Sequence, residues 1–389
     1  MPDRSCSNLF AWQSVAGIGK VFGPMEGLGY PESGNRVSSK GTDMTPIQIA
    51  PTRTRGFFVH GAAVACCAAL MSFGFGPDAR AGATYTAIDV TGAIGTSALS
   101  INKIGVVAGY YSTPDDVPHG FERAADGTII TFDAFGSGGT LPNSINDSGV
   151  ITGSCAGDDA GTHGFERAAD GTITSFDPTG SIFTYPASIN GKGVIAGWYQ
   201  DASNLYHGFV RAADGTVTSF DVAGSTATYV FAINAKGVIV GYYIDTNNVD
   251  HGFVRAVDGT IASFDVDGST GTRGTAINKA GVIAGFYYIG QVGGTIQGFV
   301  RAVDGTITTF AYPHQSQTGP NSINDTGAIA GGIIKNGFVR APDGTLKRVK
   351  VPESKRTFAY SINDAGAITG YYYDKVKNKY VTHGFLRIP

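Results

Sequence analysis

Residues 207–250 read HGFVRAADGTVTSFDVAGSTATYVFAINAKGVIVGYYIDTNNVD, and this stretch decides the fold because the chain repeats it. His-Gly-Phe begins at His119, His163, His207 and His251, each 44 residues after the last. It continues as Gln-Gly-Phe at 297 and Asn-Gly-Phe at 336, and returns at His383 near the C-terminus. Self-similarity at such a period indicates a repeat architecture. The sequence therefore predicts one structural unit copied many times.

Four short strands are predicted within this unit. His207–Ala212 and Thr216–Val222 flank Asp214-Gly215, a pair that favours a tight hairpin turn. A third strand ends at Asn234, whose side chain can bond its own backbone in an Asn-x-x-Gly turn. Val238–Tyr243 then forms the fourth strand. Variable loops follow the second and fourth strands, so each unit is expected to be antiparallel throughout.

The Asn-x-x-Gly turn fixes the number of units, because it occurs seven times. Its asparagines are Asn102, Asn146, Asn190, Asn234, Asn278, Asn324 and Asn363. Units of about 40–45 residues with four strands match the blades of a β-propeller. We therefore expect an all-β fold over residues 84–389, a seven-bladed β-propeller of four-stranded antiparallel blades.

The two ends of the repeat region predict how the ring closes. Thr84–Val90 corresponds to a second strand, and His383–Pro389 to a first strand without its partner. Pairing these terminal strands would complete one blade and leave no open sheet edge. An open solenoid is the alternative, but it would need capping units, and the sequence has none that can be recognised.

The residues before the repeats have the pattern of an export signal. Arg53 and Arg55 precede an apolar run over residues 56–75, which ends before the Ala-x-Ala site at Ala79–Ala81. We predict a signal peptide over 44–81 with translation from Met44, and a non-native or disordered leader over 1–43. Cleavage near Ala81 would give a secreted protein, extracellular or periplasmic. A buried helix, a membrane anchor and a lipoprotein modified at Cys66 are the alternatives.

Composition narrows the classes of partner. Charged residues make up 15% of the chain and the net charge is −3, so no basic face for nucleic acid is expected. After cleavage the chain would hold no transmembrane span, and Cys155 would be its one cysteine, so no internal disulfide could form. We expect a monomer with an inert thiol.

The His-Gly-Phe and Ile-Asn-x-x-Gly-x-x-x-Gly elements over residues 84–389 resemble the extracellular HAF repeats, a family of bacterial secreted proteins. The resemblance implies export and a β-repeat fold. It implies no activity, cofactor or catalytic residue for any position of this chain.

The repeated polar residues suggest structure more than chemistry. A ring of histidines could bind metal, but Gln297 and Asn336 take the same place and are poor transition-metal ligands. Hydrogen bonding at the start of the strand is what all these residues share. The repeated Arg, as at Arg211, could pair with the Asp after the second strand, but Ala311 and Lys350 replace that Asp in two units that keep the Arg. We therefore expect the Arg to have another acceptor, a backbone carbonyl. We assign no catalytic residue, no metal and no cofactor.

Function is expected on one face of the ring. Antiparallel strands place both near-invariant turns on one face and both variable loops on the other, and binding residues concentrate on loops held by a rigid scaffold. The ligand-binding candidates on the loop side are Tyr111, Trp198, Tyr199, Tyr206, Tyr243, Tyr288, Tyr372, Asp116, Asp201 and Asp245. Flat aromatic rings with polar neighbours suit sugars or protein partners. The alternative is that these rings only fill space between blades.

These features favour a secreted binding module whose ligand is a glycan or a cell-envelope protein. Two alternatives stay open. One is a secreted polysaccharide lyase or hydrolase that uses the central channel, and the other is a purely structural surface repeat protein. An enzyme should break the repeat with a unique polar cluster, so asymmetry between units separates these classes.

Overall fold

A computed structural model describes residues 82–135, 138–159, 161–290, 294–376 and 379–389. The predicted leader and signal peptide lie outside these residues. The described chain is all-β, with 28 strands and no helix. Accordingly, nothing in these ranges is a helix long and apolar enough to cross a membrane.

The strands pair into seven four-stranded antiparallel units, written here from the inner to the outer strand. The first is β2 (Gly95–Ile101), β3 (Val107–Ser112), β4 (Pro118–Arg123) and β5 (Ile129–Phe132). The second is β6 (Thr140–Ile145), β7 (Ile151–Ala156), β8 (Thr162–Arg167) and β9 (Ile173–Phe176). The third is β10 (Ser181–Ile189), β11 (Ile195–Asp201), β12 (Tyr206–Arg211) and β13 (Val217–Phe220).

The remaining units follow the same plan. The fourth is β14 (Ala227–Ile233), β15 (Ile239–Ile244), β16 (Asp250–Arg255) and β17 (Ile261–Phe264). The fifth is β18 (Gly271–Ile277), β19 (Ile283–Ile289), β20 (Thr295–Arg301) and β21 (Ile307–Phe310). The sixth is β22 (Thr318–Ile323), β23 (Ile329–Ile333), β24 (Gly337–Arg340) and β25 (Leu346–Val349). The seventh is β26 (Arg356–Ile362), β27 (Ile368–Val376), β28 (Lys379–Ile388) and β1 (Thr84–Ile88).

The seventh unit is built from both ends of the repeat region. β1 pairs antiparallel with β28, from Thr84 opposite Ile388 to Ile88 opposite Gly384. The His-Gly-Phe strand, which comes first in the sequence unit, is the third strand of the sheet unit. The sheet unit therefore begins at the strand that leads into the Asn-x-x-Gly turn.

Each unit needs glycine at two places where strands approach closely. A Cβ at Gly241 would lie 2.0 Å from the carbonyl oxygen of Tyr229 on the inner strand. A Cβ at Gly208 of His-Gly-Phe would lie 2.7 Å from the ring of Phe220 on the outer strand. Real Cβ atoms cannot approach so near, so these glycines let rings and backbone pack over them.

Asparagine side chains link the inner strands in a closed cycle. The Nδ2 of Asn102 donates to the carbonyl of Asn146, and the same bond runs through all seven asparagines until Asn363 donates back to Asn102. These seven bonds are 2.9–3.2 Å long. The Oδ1 atoms accept from amides of their own turns, as Asn234 does from Val238 at 3.0 Å. One buried residue type thus shapes each turn and joins it to the next unit.

The core lies between neighbouring units. Phe165 of His-Gly-Phe is fully buried and meets Phe132, the outer-strand ring of the preceding unit, edge-on at 6.1 Å. The guanidinium of Arg167 sits over the same Phe132 ring at 4.8 Å. Such cation–π contacts contribute about 0.5–2 kcal/mol. The contact recurs in five units, for Arg167, Arg211, Arg255, Arg301 and Arg340.

Candidate functional site

The two variable loops of each unit share one side of the molecule, called here the loop face. It comprises the loops that join the second to the third strand and the fourth strand to the next inner strand. In the described part of the chain, seven of the twelve exposed large hydrophobic residues lie in these loops or at the strand ends that border them: Ile94, Phe135, Ile182, Leu205, Ile289, Ile334 and Tyr380.

The repeated histidines are held by aspartates. His207 Nδ1 lies 2.8 Å from Asp221, and four further pairs have the same geometry at 2.6–2.8 Å: His119–Asp133, His163–Asp177, His251–Asp265 and His383–Asp89. These aspartates thus pair with the histidines. The repeated arginines have other acceptors: Arg255 donates to the carbonyl of Ala256, as expected, whereas Arg211 donates to Glu166. The two units that lack the Asp, at Ala311 and Lys350, also lack the His. The pair changes together, as contacting residues do.

Four of the candidate tyrosines stack on these histidines. Tyr111, Tyr199, Tyr243 and Tyr372 lie 5.0–5.2 Å from the imidazole of the neighbouring strand. In the fifth unit Tyr287 donates instead to Gln297 at 2.8 Å. The structure thus gives this set of rings a packing contact inside its own unit.

The candidate carboxylates shape the loops. Asp201 accepts from the amides of Ser203 and Leu205 at 2.8 and 2.9 Å, and Asp245 accepts from Asn247 and Val249 in the same way. These bonds lower the pKa of both carboxyls, the amide of the residue four positions on having the largest effect. Asp116 is exposed, with φ at 64°. All three lie on the loop face.

A second set of rings forms a connected arc at the loop-face end of the inner strands. Trp198 stacks on Tyr185 at 5.1 Å and meets Tyr206 and Tyr229 at 5.7 and 5.4 Å. Tyr229 in turn stacks on Tyr242 at 4.9 Å. We call these five residues the aromatic arc. It crosses the boundary between the third and fourth units and contains two of the candidates, Trp198 and Tyr206.

Tyrosines from distant units approach the same region. Burial, and then the nearby Tyr110, raise the pKa of Tyr185 to about 12. Burial likewise raises the pKa of Tyr360, which also feels Tyr110 and Tyr185 and is hydrogen-bonded to Tyr371. These residues belong to the first, third and seventh units, so tyrosines from different units lie close enough to influence one another.

The arc ends at an ion pair that has no counterpart at the equivalent positions of the other unit boundaries within the described residues. Arg273 on β18 donates from Nε and Nη2 to Oδ2 of Asp250 on β16, both at 2.6 Å. The guanidinium lies 4.2 Å from the ring of Tyr242 and 5.5 Å from that of Tyr288, a third candidate. Burial lowers the pKa of Arg273, but Tyr242, Tyr288 and Asp250 outweigh it and leave the pKa raised.

Sequence reasoning missed this pair, although a signal was present. No other boundary carries two opposite charges at the two equivalent positions: Thr382 occurs with Ser97, Tyr206 with Tyr229, and Lys335 with Phe358. Comparing the units column by column would have shown two opposite charges that appear together once.

Neither the described cysteine nor the described metal-binding residue types form a further reactive site. Cys155 is buried, and this burial raises the pKa of its thiol to about 11, which leaves it protonated. Within the described ranges, no three His, Cys, Asp or Glu side chains come together in a metal-binding arrangement.

Comparisons with known proteins bear on the fold. No protein-family profile matches the chain, and no curated protein sequence matches it. A structure from a study of two prolyl endopeptidases superposes with a TM-score of 0.54 at 11% identity, covering 77% of this chain and 51% of that one. A puromycin hydrolase gives 0.53 at 12% identity, covering 74% and 52%.

The propeller domain of the Trilobed protease from Pyrococcus furiosus gives 0.50 at 8% identity, covering 71% of this chain and 91% of that domain. The chain thus spans about half the length of the two enzymes and most of the isolated domain. Identities this low are informative for fold alone. Together with the strand pairing they establish a β-propeller fold.

Proposed function

We propose that the chain is an exported, closed, seven-bladed β-propeller that acts as a binding module, with a glycan bound on the loop face. The cycle of asparagine bonds and the pairing of β1 with β28 support closure into seven blades. The resemblance to HAF repeats and the signal-like segment before residue 82 support export. Closure also supports a monomer, because the terminal strands leave no open sheet edge between them.

The aromatic arc carries the proposal of a glycan. A sugar ring presents an apolar face that stacks on an aromatic ring, while its hydroxyls bond to polar groups at the edge. Tyr206 and Tyr229 are half-buried, so part of each residue reaches solvent beside the buried Trp198. The inner strands hold these rings in place, and a rigid platform loses little entropy on binding.

A cell-envelope protein is the second candidate ligand. The exposed apolar residues of the loop face favour it, because such residues mark protein interaction sites when they cluster. The arc favours the glycan, because its aromatic rings end beside the polar Asp250–Arg273 pair, which can bond to sugar hydroxyls. The glycan is therefore the leading proposal.

A glycan array probed with the purified full chain tests this proposal. We expect saturable binding to a subset of oligosaccharides, with the bound oligosaccharide chemically unchanged. Binding should weaken when Tyr229 is replaced by Ala and persist in Tyr380→Ala, an exposed tyrosine with no place in the arc. Release of shortened or unsaturated products would instead support a lyase or hydrolase. Absence of glycan binding, with capture of one envelope protein, would support the second candidate.

A further inference from the structure

We propose that Asp250 and Arg273 form a subsite for two neighbouring hydroxyls of a neutral sugar. The inference rests on the proposed glycan-binding function and names the place and class of one bound sugar. The subsite lies between the fourth and fifth units, at the end of the aromatic arc.

The ion pair leaves one acceptor and one donor unused. Nε and Nη2 of Arg273 both bond to Oδ2 of Asp250. Among the described residues, neither Oδ1 of Asp250 nor Nη1 of Arg273 has a hydrogen-bond partner, and neither belongs to the fully buried unpartnered polar atoms. Both atoms therefore reach solvent from side chains that are otherwise 13% and 16% exposed.

This arrangement fits a vicinal diol. Each sugar hydroxyl can both donate and accept, so one hydroxyl can donate to Oδ1 while its neighbour accepts from Nη1. Hydrogen bonds to charged partners are the stronger kind. The pair has no net charge, so it gives no reason to prefer an acidic sugar. Tyr288, which is half-buried and lies 5.5 Å from the guanidinium, can supply flat surface for the sugar ring.

Stability alone does not account for the pair. Burying two charges costs desolvation, and neutral replacements of buried ion pairs are often as stable or more so. The chain uses such replacements at the equivalent places of other boundaries, including Thr382 with Ser97. A partly buried ion pair that occurs at one boundary breaks the repeat, and this makes it a functional-site candidate.

The test exchanges the ion pair for the chain's own neutral pair. Asp250→Thr with Arg273→Ser copies Thr382 and Ser97, so the double variant should keep the Tm of the wild type. Isothermal titration uses the neutral oligosaccharide that the wild type binds best on the array. We expect the dissociation constant to rise at least about 10-fold, because the double variant loses two charge-assisted hydrogen bonds to the sugar. Glu166→Gln, which alters the ion pair with Arg211 away from the loop face, should bind as the wild type does.

A chemical control separates diol recognition from stacking. The per-O-methylated form of the same oligosaccharide keeps its rings but cannot donate, and it should bind the wild type and the double variant equally weakly. Undiminished binding by the double variant would overturn the subsite and leave the glycan-binding function standing. A wild type that prefers acidic sugars would also overturn it. A wild type that binds no glycan would overturn both proposals.

Discussion

Replacing Asn234 with Ala should destabilise the protein substantially, because the side chain serves two units at once. Its Nδ2 donates to the carbonyl of Asn278 at 3.1 Å, and its Oδ1 accepts from the amides of Lys236 and Val238, both at 3.0 Å. Alanine removes all three bonds. The Asn278 carbonyl keeps its bond from Gly281, so the two amides are the groups left unpaired.

The expected loss follows from these bonds. At about 1 kcal/mol net for each hydrogen bond, the variant should lose about 3 kcal/mol of unfolding free energy. A domain of this size shifts by roughly 2 °C per kcal/mol, so Tm should fall by about 6 °C. Chemical denaturation and differential scanning calorimetry measure the two quantities independently.

Two further variants make the reasoning specific. Asn234→Asp keeps the acceptor but sets an oxygen against the Asn278 carbonyl, so it should be no more stable than the alanine variant. Asn247→Ala removes an exposed loop asparagine whose side chain bonds to Asp245 at 3.0 Å, and it should change stability by less than about 0.5 kcal/mol. If Asn234→Ala lowered the unfolding free energy as little as Asn247→Ala does, the asparagine cycle would not contribute to stability.

Three other outcomes can be measured directly. The hydrogen bond to Asp177 is the main cause that raises the pKa of His163 above 6.5. The stability that the protonated imidazole contributes is therefore complete below pH 6.5 and is lost as the pH rises through the raised pKa. The double variant His163→Gln with Asp177→Ala should make Tm less dependent on pH in this range, and an unchanged dependence of Tm on pH would contradict the prediction. Gly332 lies in β23, where an added Cβ would meet no atom within 4 Å. Gly332→Ala should therefore raise the unfolding free energy by about 0.4–1 kcal/mol, because alanine lowers the conformational entropy of the unfolded chain. A lower Tm for this variant would show that the space at Gly332 is not open. The Cys155 peptide should stay unlabelled by iodoacetamide at pH 8 until the protein unfolds, because burial holds its thiol pKa at about 11; labelling of the native protein would count against that burial.

Local patterns in the sequence were enough to predict the strands. Alternation and turn residues place the fourth strand of the quoted unit at Val238–Tyr243, and the structure has it at Ile239–Ile244. Pairing of the terminal strands was also predictable, because each end supplies the half that the other lacks. Such signals depend on residues close in sequence, which a single chain displays.

Contacts between units were harder to predict from the sequence. The turn at Asn234 was predicted, but its bond to Asn278 depends on how far neighbouring turns lie apart, which no local pattern encodes. The pairing of His207 with Asp221 could have been found, because units that lose one lose the other. The sequence placed aromatic residues on the loop face but could not divide them into rings stacked on histidine, such as Tyr199, and rings of the arc, such as Trp198.

Trp198 offers the most direct test of a ligand bound at the aromatic arc. The chain has two tryptophans, so Trp12→Phe in the full chain leaves Trp198 as the single indole reporter. Titration with the oligosaccharide that binds best on the array should change the fluorescence emission of Trp198 until it saturates, because Tyr206 and Tyr229 contact the Trp198 ring. The dissociation constant from this titration should equal the one measured by calorimetry. Calorimetric binding without any change in Trp198 emission would place the ligand elsewhere and contradict the account.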